Sequence, residues 1–324
     1  MWRSAPHQPA DRVQTLEQPY QLVNLNSRST FPVVTRLLRY GGGVLYMQVP
    51  REFRRPKGSL MSAPDLPTFP PSQQNSVAAI LRAAGCVFAE DEARLLLRTA
   101  RSRDELDAMI DRRVAGEPLE PVIGWAEFCG LRIHIDPGVF VPRRRTELLA
   151  RQACALVGAG SVVIDMCCGS GAVGAFVQAM IDAVDLYAVD IEPAAVRCAR
   201  QNITPPERVL EGDLYGPLPT ALRGRVDVVV ANAPYVPTDS IRLMPPEARL
   251  HEPRVSLDGG ADGLDLQRRI IADAVPWLRP GGHLLVETST EQVEMTVETF
   301  TRGGFLTRVA TYSETASTVV IGQC

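Results

Sequence analysis

Lysine is nearly absent from this chain of 324 residues: Lys57 is the one lysine among 34 basic residues. Set against 37 acidic residues, the formal net charge is −3, which leaves no broad basic footprint of the kind nucleic-acid backbones select. The arginine skew is better explained by coding bias than by phosphate binding. Histidine is scarce, at four residues, and neither His134 nor His251 has metal-ligand spacing. The seven cysteines contain no C-x-x-C pair, and their odd number argues for free thiols in a reducing compartment. No apolar run reaches the length of a membrane span, and the N-terminus has no signal-type apolar core. The expectation is a cytoplasmic protein with no membrane partner, no metal and no direct nucleic-acid contact.

What is present is ordinary globular composition, 45% hydrophobic and 22% charged, enough for one large or two modest domains. Residues 1–74 stand apart, rich in Pro, Arg, Ser and Gln with no sustained period, and read as a poorly ordered extension. Val44-Leu45-Tyr46-Met47 is its one apolar cluster. From Ser76 the pattern turns helical, with Val77, Ile80, Leu81 and Ala84 on one face and Gly85 as a stop. Ala93, Leu96 and Leu97 continue in a second helix. Ser102 with Glu105 reads as a capping box for a third, carrying Leu106, Met109, Ile110 and Val114. Residues 75–118 thus form a small helical domain that needs a neighbour to be stable. In 119–149 a hairpin connector follows, where Leu131, Ile133 and Ile135 alternate with polar residues after a Cys129-Gly130 turn.

Residues 150–324 alternate short apolar strands with amphipathic helices, which predicts a parallel α/β sheet wound on both faces. The strands are placed at 162–165, 186–190, about 208–210, 226–232 and 284–287. The last two, near 306–312 and 318–321, are joined by a turn-length segment and should pair antiparallel.

Two features of this region carry chemistry. Asp165-Met166-Cys167-Cys168-Gly169-Ser170-Gly171 follows the first buried strand and opens a helix, so the backbone can turn tightly against a cofactor. Asp190, at the end of the next strand, is placed to bind ribose hydroxyls. Together they point to an adenosine-containing cofactor. Residues 169–174 literally match G-x-G-x-x-G, which makes NAD(P) an alternative; Asp165 would repel a pyrophosphate but receive an ammonium, which favours S-adenosylmethionine. Asp213 could accept from the adenine amine and Leu214 cover the ring, or Asp213 could simply open a turn. The second feature is Asn232-Ala233-Pro234-Tyr235, at the end of an apolar strand. An Asn oxygen and a backbone carbonyl can hold the two hydrogens of a planar –NH2 group, with an aromatic face against it.

With these motifs in view the chain resembles the HemK/PrmC family of protein glutamine methyltransferases, from about Glu117 to Gly322. The resemblance rests on Gly124-Trp125-Ala126-Glu127-Phe128, Val141-Pro142-Arg143 with Thr146-Glu147, the glycine loop and Asp190-Ile191-Glu192-Pro193. It continues through the Asn232 motif, Glu252-Pro253-Arg254 and the run Leu257-Asp258-Gly259-Gly260-Ala261-Asp262-Gly263-Leu264. It implies a seven-stranded, Rossmann-like class I methyltransferase sheet with a small N-terminal helical domain that seats the substrate. It also implies methylation of the Gly-Gly-Gln glutamine of a peptide chain release factor. Cofactor contacts would come from Asp165, Cys167, Cys168, Gly169, Ser170, Gly171, Asp190, Asp213, Leu214 and Asn232. Substrate contacts would come from Asn232, Ala233, Pro234, Tyr235, Pro142 and Arg143. The family has Pro where this chain has Ala233, whose carbonyl still supplies the second acceptor. It has Gly where this chain has Cys167, which would be strained if the position needs positive φ. The helical domain is shorter than the family's. Rival readings are a methyltransferase for the exocyclic amine of adenine in nucleic acid, one for another protein glutamine, and a cofactor binder without turnover.

Overall fold

The protein, a computed structural model, is described over residues 38–40, 44–48 and 69–324. Most of the 1–74 extension therefore lies outside the described residues. Within it, β1 (Leu38–Tyr40) and β2 (Val44–Gln48) pair antiparallel, and β2 runs parallel to the edge strand of the main sheet. The first helix also starts inside this stretch. Helix α1 (Pro71–Ala83) opens with Pro in its first turn, where no N–H is needed. It thus begins upstream of the expected Ser76.

Helices α2 (Ala89–Thr99), α3 (Arg103–Val114) and the short α4 (Leu119–Ile123) complete the helical part. Helix α2 has Glu90, Asp91 and Glu92 in its first turn and Arg98 in its last, matching the helix dipole. Ser102 Oγ caps α3 by accepting from Glu105 N at 3.1 Å, and the Glu105 carboxylate accepts from Arg101 N at 2.6 Å. Val77, Leu81, Ala93, Leu96, Leu106 and Val122 close one core cluster. Ile80 lies off that stripe and is 47% exposed, contrary to the periodicity reading.

Strands β3 (Trp125–Phe128) and β4 (Leu131–His134) form the expected hairpin. Cys129 and Gly130 both have positive φ, the requirement of a tight hairpin turn whose twist matches its strands. Phe128, Ile133 and Ile135 enter the core beneath helices α5 (Glu147–Leu156) and α6 (Ala172–Met180).

The main sheet is built from β5 (Val162–Met166), β6 (Asp185–Asp190), β7 (Val209–Glu211), β8 (Val226–Ala231), β9 (Leu278–Thr288), β10 (Leu306–Tyr312) and β11 (Ser317–Gln323). Between them run α7 (Pro193–Asn202), α8 (Pro246–His251), α9 (Asp265–Ala274) and α10 (Val293–Arg302). The strand order is β7-β6-β5-β8-β9-β11-β10, with β1 and β2 extending the β10 edge to nine strands. The pairs among β7, β6, β5, β8 and β9 are parallel, while β11 is antiparallel to both β9 and β10, as the short connection requires. All five positions of β5 are buried, because helices cover both faces. Val163 joins the cluster under α5 and α6, and its neighbour Ile164 the cluster under α9 and α10. Chain order reverses on either side of β5, where β6 and β8 flank it. The crevice at the carboxyl ends of β5 and β8 is where such sheets receive ligands.

Candidate active site

That crevice holds a cavity of about 570 Å³, within the range of small-molecule sites. Fourteen of the fifteen residues that the sequence singled out line it: Pro142, Arg143, Asp165, Cys167, Cys168, Gly169, Ser170, Asp190, Asp213, Leu214, Asn232, Ala233, Pro234 and Tyr235. Gly171 does not. It has φ +76°, and a Cβ there would lie 2.8 Å from Ile203 Cδ1 and 3.1 Å from Ala199 Cβ. Gly171 is glycine at a point where α6 packs closely on α7, which leaves no room for a side chain. Gly169 differs: a Cβ built there would meet nothing within 4 Å.

Two carboxylates brace the loop after β5. Asp165, 2% exposed, accepts from Gly174 N at 2.8 Å, which ties the strand end to the helix. Burial pushes its pKa up to about 8, opposed by the Gly174 N–H and reinforced by the nearby Asp190 charge. Asp190 accepts from Gly169 N through Oδ2 at 2.8 Å and from Glu192 N through Oδ1 at 2.9 Å. Burial raises its pKa as well, against those two hydrogen bonds. Between them Cys167 sits at φ +57°, the left-handed backbone that glycine adopts freely. Burial, with the Asp190, Asp165 and Asp213 charges, raises its thiol pKa well above the usual value. Asp213 is ion-paired with Arg269 at 2.6 Å, so one of its oxygens is already engaged.

The acceptor side is built by segments far apart in sequence. Asn232 Nδ2 donates to Thr146 Oγ1 at 3.3 Å, and its Oδ1 has no protein partner among the described residues. Ala233 is 1% exposed, and among the described residues nothing accepts from its N–H. Tyr235 donates its hydroxyl to Glu287 at 3.3 Å, with the Arg145 guanidinium 5.4 Å over its ring. Arg143 pairs with Glu252 at 2.6 Å, joining the Pro142-Arg143 segment to Glu252-Pro253-Arg254. Burial raises the Glu252 pKa and Arg143 holds it down.

The glycine run of residues 257–264 buttresses the acceptor loop. Val236 N donates to Leu257 O at 3.0 Å, Gly259 N to Val236 O at 2.9 Å, and Thr238 N to Gly260 O at 2.9 Å. Gln292 Nε2 donates at 2.9 Å to both Tyr235 O and Asp262 O. A Cβ at Gly263 would fall 2.3 Å from Tyr235 O. Thr146, Glu287 and Gln292 were not singled out as site residues. Thr146 carries a sequence signal, as part of the Pro142-Arg143 and Thr146-Glu147 motif, whereas Glu287 reads only as the last residue of a strand.

The cavity fits the cofactor expected. Apolar walls from Val139, Phe140, Met166 and Leu214 stand beside the carboxylates of Asp165, Asp190 and Asp213. Such walls suit a purine, and such carboxylates suit ribose hydroxyls and an ammonium while opposing a pyrophosphate. Fold and site together define a class I methyltransferase whose methyl donor is S-adenosylmethionine. Residues 130–244 match the methyltransferase small domain family. The release factor glutamine methyltransferase of Geobacter sulfurreducens is 36% identical over 203 residues, covering 61% of this chain and 69% of that protein. The 4-amino-L-phenylalanine/4-methylamino-L-phenylalanine methyltransferase of Streptomyces pristinaespiralis is 36% identical over 192 residues, 57% of this chain and 65% of that protein. Among solved structures, the release factor-specific protein-(glutamine-N5) methyltransferase of Alicyclobacillus acidocaldarius is similar at 23% identity and a TM-score of 0.36. It spans 59% of this chain and 98% of its own. The chain belongs to the release factor glutamine methyltransferase family. Among the described residues, no helix is long and apolar enough to cross a membrane, and no cluster of three or more His, Cys, Asp or Glu is arranged to hold a metal.

Proposed function

We propose that this chain methylates the side-chain amide nitrogen of a protein glutamine, that of the Gly-Gly-Gln motif in a peptide chain release factor. The observation that carries this reading is the Asn232 amide, which turns its nitrogen toward Thr146 and donates one hydrogen to it. Its oxygen is left as an acceptor on the cavity wall beside the Ala233 carbonyl. Two adjacent acceptors suit a group that offers two hydrogens, such as a primary carboxamide. Held by both hydrogens, the amide nitrogen can present its lone pair rather than delocalise it into the carbonyl. The bound donor supplies a methyl made electrophilic by its sulfonium. Asp190 would hold the ribose, Asp165 the ammonium, and Asp213 with Leu214, Cys167, Cys168, Gly169 and Ser170 the adenine side. Positioning of this kind can remove roughly 7–11 kcal/mol from a barrier. The proton leaves the nitrogen after transfer, so no general base is required beforehand. Residues 75–118 act as the substrate-side domain, 119–149 as its connector and 150–324 as the catalytic domain, in the cytoplasm.

The family relationship and the net charge of −3 both favour a protein acceptor over adenine in nucleic acid. The test is release of S-adenosylhomocysteine with three acceptors: a release factor, its Gly-Gly-Gln variant with Gln→Glu, and duplex or single-stranded nucleic acid. Turnover with the first alone is expected. Equal turnover with the glutamate variant, or turnover with nucleic acid only, overturns the proposal.

A further inference from the structure

The segment that follows the acceptor motif leaves the sheet and comes back to it. Its base is closed where Val236 N donates to Leu257 O and Thr238 N to Gly260 O. Thr238 Oγ1 also donates to Asp258 Oδ1 at 2.6 Å. Between these ties residues 238–256 form an excursion whose Thr238, Met244, Pro253, Val255 and Ser256 line the cavity. Little apolar burial holds it. From Thr238 to His251, Ala248 alone is buried, while Leu243 and Leu250 are largely exposed. A stretch with so few buried apolar contacts opens readily unless polar contacts fix it.

One such contact comes from the helical part of the chain. Arg113, 7% exposed near the end of α3, divides its guanidinium among three partners. Nε and Nη2 donate to the Glu92 carboxylate of α2 at 2.7 and 3.3 Å, and Nη1 donates to Glu117 O at 2.9 Å. Nη2 also donates to Glu247 Oε1 at 2.7 Å, and Glu247 lies in the first turn of α8, 134 residues away. A planar fork fixed on two sides presents its remaining N–H in one direction. The far end of the excursion is held separately, by Arg143 on Glu252 at 2.6 Å. We propose that Arg113 is a positioning residue for the acceptor side. Set in place by Glu92 and the Glu117 carbonyl, it holds Glu247 and so keeps the 238–256 excursion where a protein acceptor is received. Glu92 neutralises Arg113 by itself, so removing Glu247 leaves no buried charge unpaired.

Glu247→Ala is the informative variant, because Arg113 keeps Glu92 and the Glu247 side chain is half exposed. Its Tm should fall by no more than about 4 °C. One arm of the test needs no substrate. In the apoprotein, Arg249 N and Glu252 N close α8 by donating to Pro245 O and Ala248 O. Hydrogen exchange at these two amides should become at least about threefold faster in the variant, with the amides of α3 unchanged. The kinetic arm rests on the glutamine-amide reading. With a release factor as acceptor, KM should rise roughly three- to tenfold while kcat holds, since a competent state populated only in part weakens apparent affinity by that fraction. Affinity for S-adenosylhomocysteine should hold. Glu247→Gln, which still accepts a hydrogen bond, should fall between the wild type and Glu247→Ala in both arms. Unchanged exchange at α8, or an unchanged KM with normal turnover, overturns the proposal. A wild type that ignores the release factor while Glu247→Ala speeds exchange at α8 removes the substrate reading and leaves the positioning role of Arg113 standing.

Discussion

Gly263→Ala probes the acceptor loop from a residue that does not line the cavity. The backbone there has φ +82°, and an added Cβ would lie 2.3 Å from both Tyr235 O and Gln292 Nε2. Ordinary contact begins near 3.4 Å, so the Tyr235 backbone or the glycine run must move by about 1 Å. Left-handed backbone costs an alanine about 1–2 kcal/mol, which in a domain of this size lowers Tm by roughly 2–8 °C. The displacement costs more in rate than in stability. A shift of about 1 Å in a positioned group can reduce turnover on the order of a hundredfold, or about 2.7 kcal/mol of barrier. The assay is methyl transfer to a Gly-Gly-Gln peptide alongside titration with S-adenosylhomocysteine, whose affinity should hold because the loops of β5 and β6 are untouched. Gly304→Ala is the control. Its φ is +85° but a Cβ there would meet nothing within 4 Å, so it carries the backbone strain without the displacement. Loss of stability in both variants and of kcat only in Gly263→Ala is expected. Near-normal kcat in Gly263→Ala, or an equal loss in Gly304→Ala, would refute the buttress argument.

Three further perturbations follow from the site. Asp165 is raised by burial from 3.8 to about 8. The apoprotein therefore keeps its full stability below the unfolded value and loses part of it as pH rises through the folded one. Asp165→Asn removes the charge, so its Tm advantage over the wild type should widen from pH 4 to 8 and then level off; a gap independent of pH rejects this. Asp190→Ala should weaken S-adenosylhomocysteine binding by roughly 1.5–3 kcal/mol, since a charged acceptor and the anchors of Gly169 N and Glu192 N are lost together; an unchanged Kd rejects the ribose role. Ala233→Pro should keep or raise activity on the Gly-Gly-Gln peptide, because the Ala233 N–H has no acceptor to lose among the described residues. Collapse of activity with cofactor affinity intact would show a pocket shaped for a different acceptor.

The parts of this fold legible in the sequence were those with short-range causes. Apolar runs bounded by turn residues located β5, β6, β8, β10 and β11, and the brief 313–316 connection dictated antiparallel pairing. The Ser102 cap and the Cys129-Gly130 turn are equally local. Cys167 was legible as a condition: strain if φ is positive there, and φ is +57°. What escaped depends on distant partners. Asn232 meets Thr146 across 86 residues and Tyr235 meets Glu287 across 52, so no periodicity connects them. Glu287 completes an apolar strand and reads like the polar end of any β9. Gly171 sits in a cofactor motif, and the α7 surface packed against it leaves no room for a side chain. Asp213 reads as a free acceptor until Arg269 is brought beside it.

The central claim is tested most directly by locating the transferred methyl. A release factor is incubated with this protein and donor bearing a deuterated methyl, then digested and sequenced by mass spectrometry, with Asn232→Ala run in parallel. One deuterated methyl on the side-chain nitrogen of the Gly-Gly-Gln glutamine, and none with Asn232→Ala despite retained cofactor binding, is the predicted result. Label on any other residue, or on the same glutamine at an undiminished rate without the Asn232 side chain, would contradict the account.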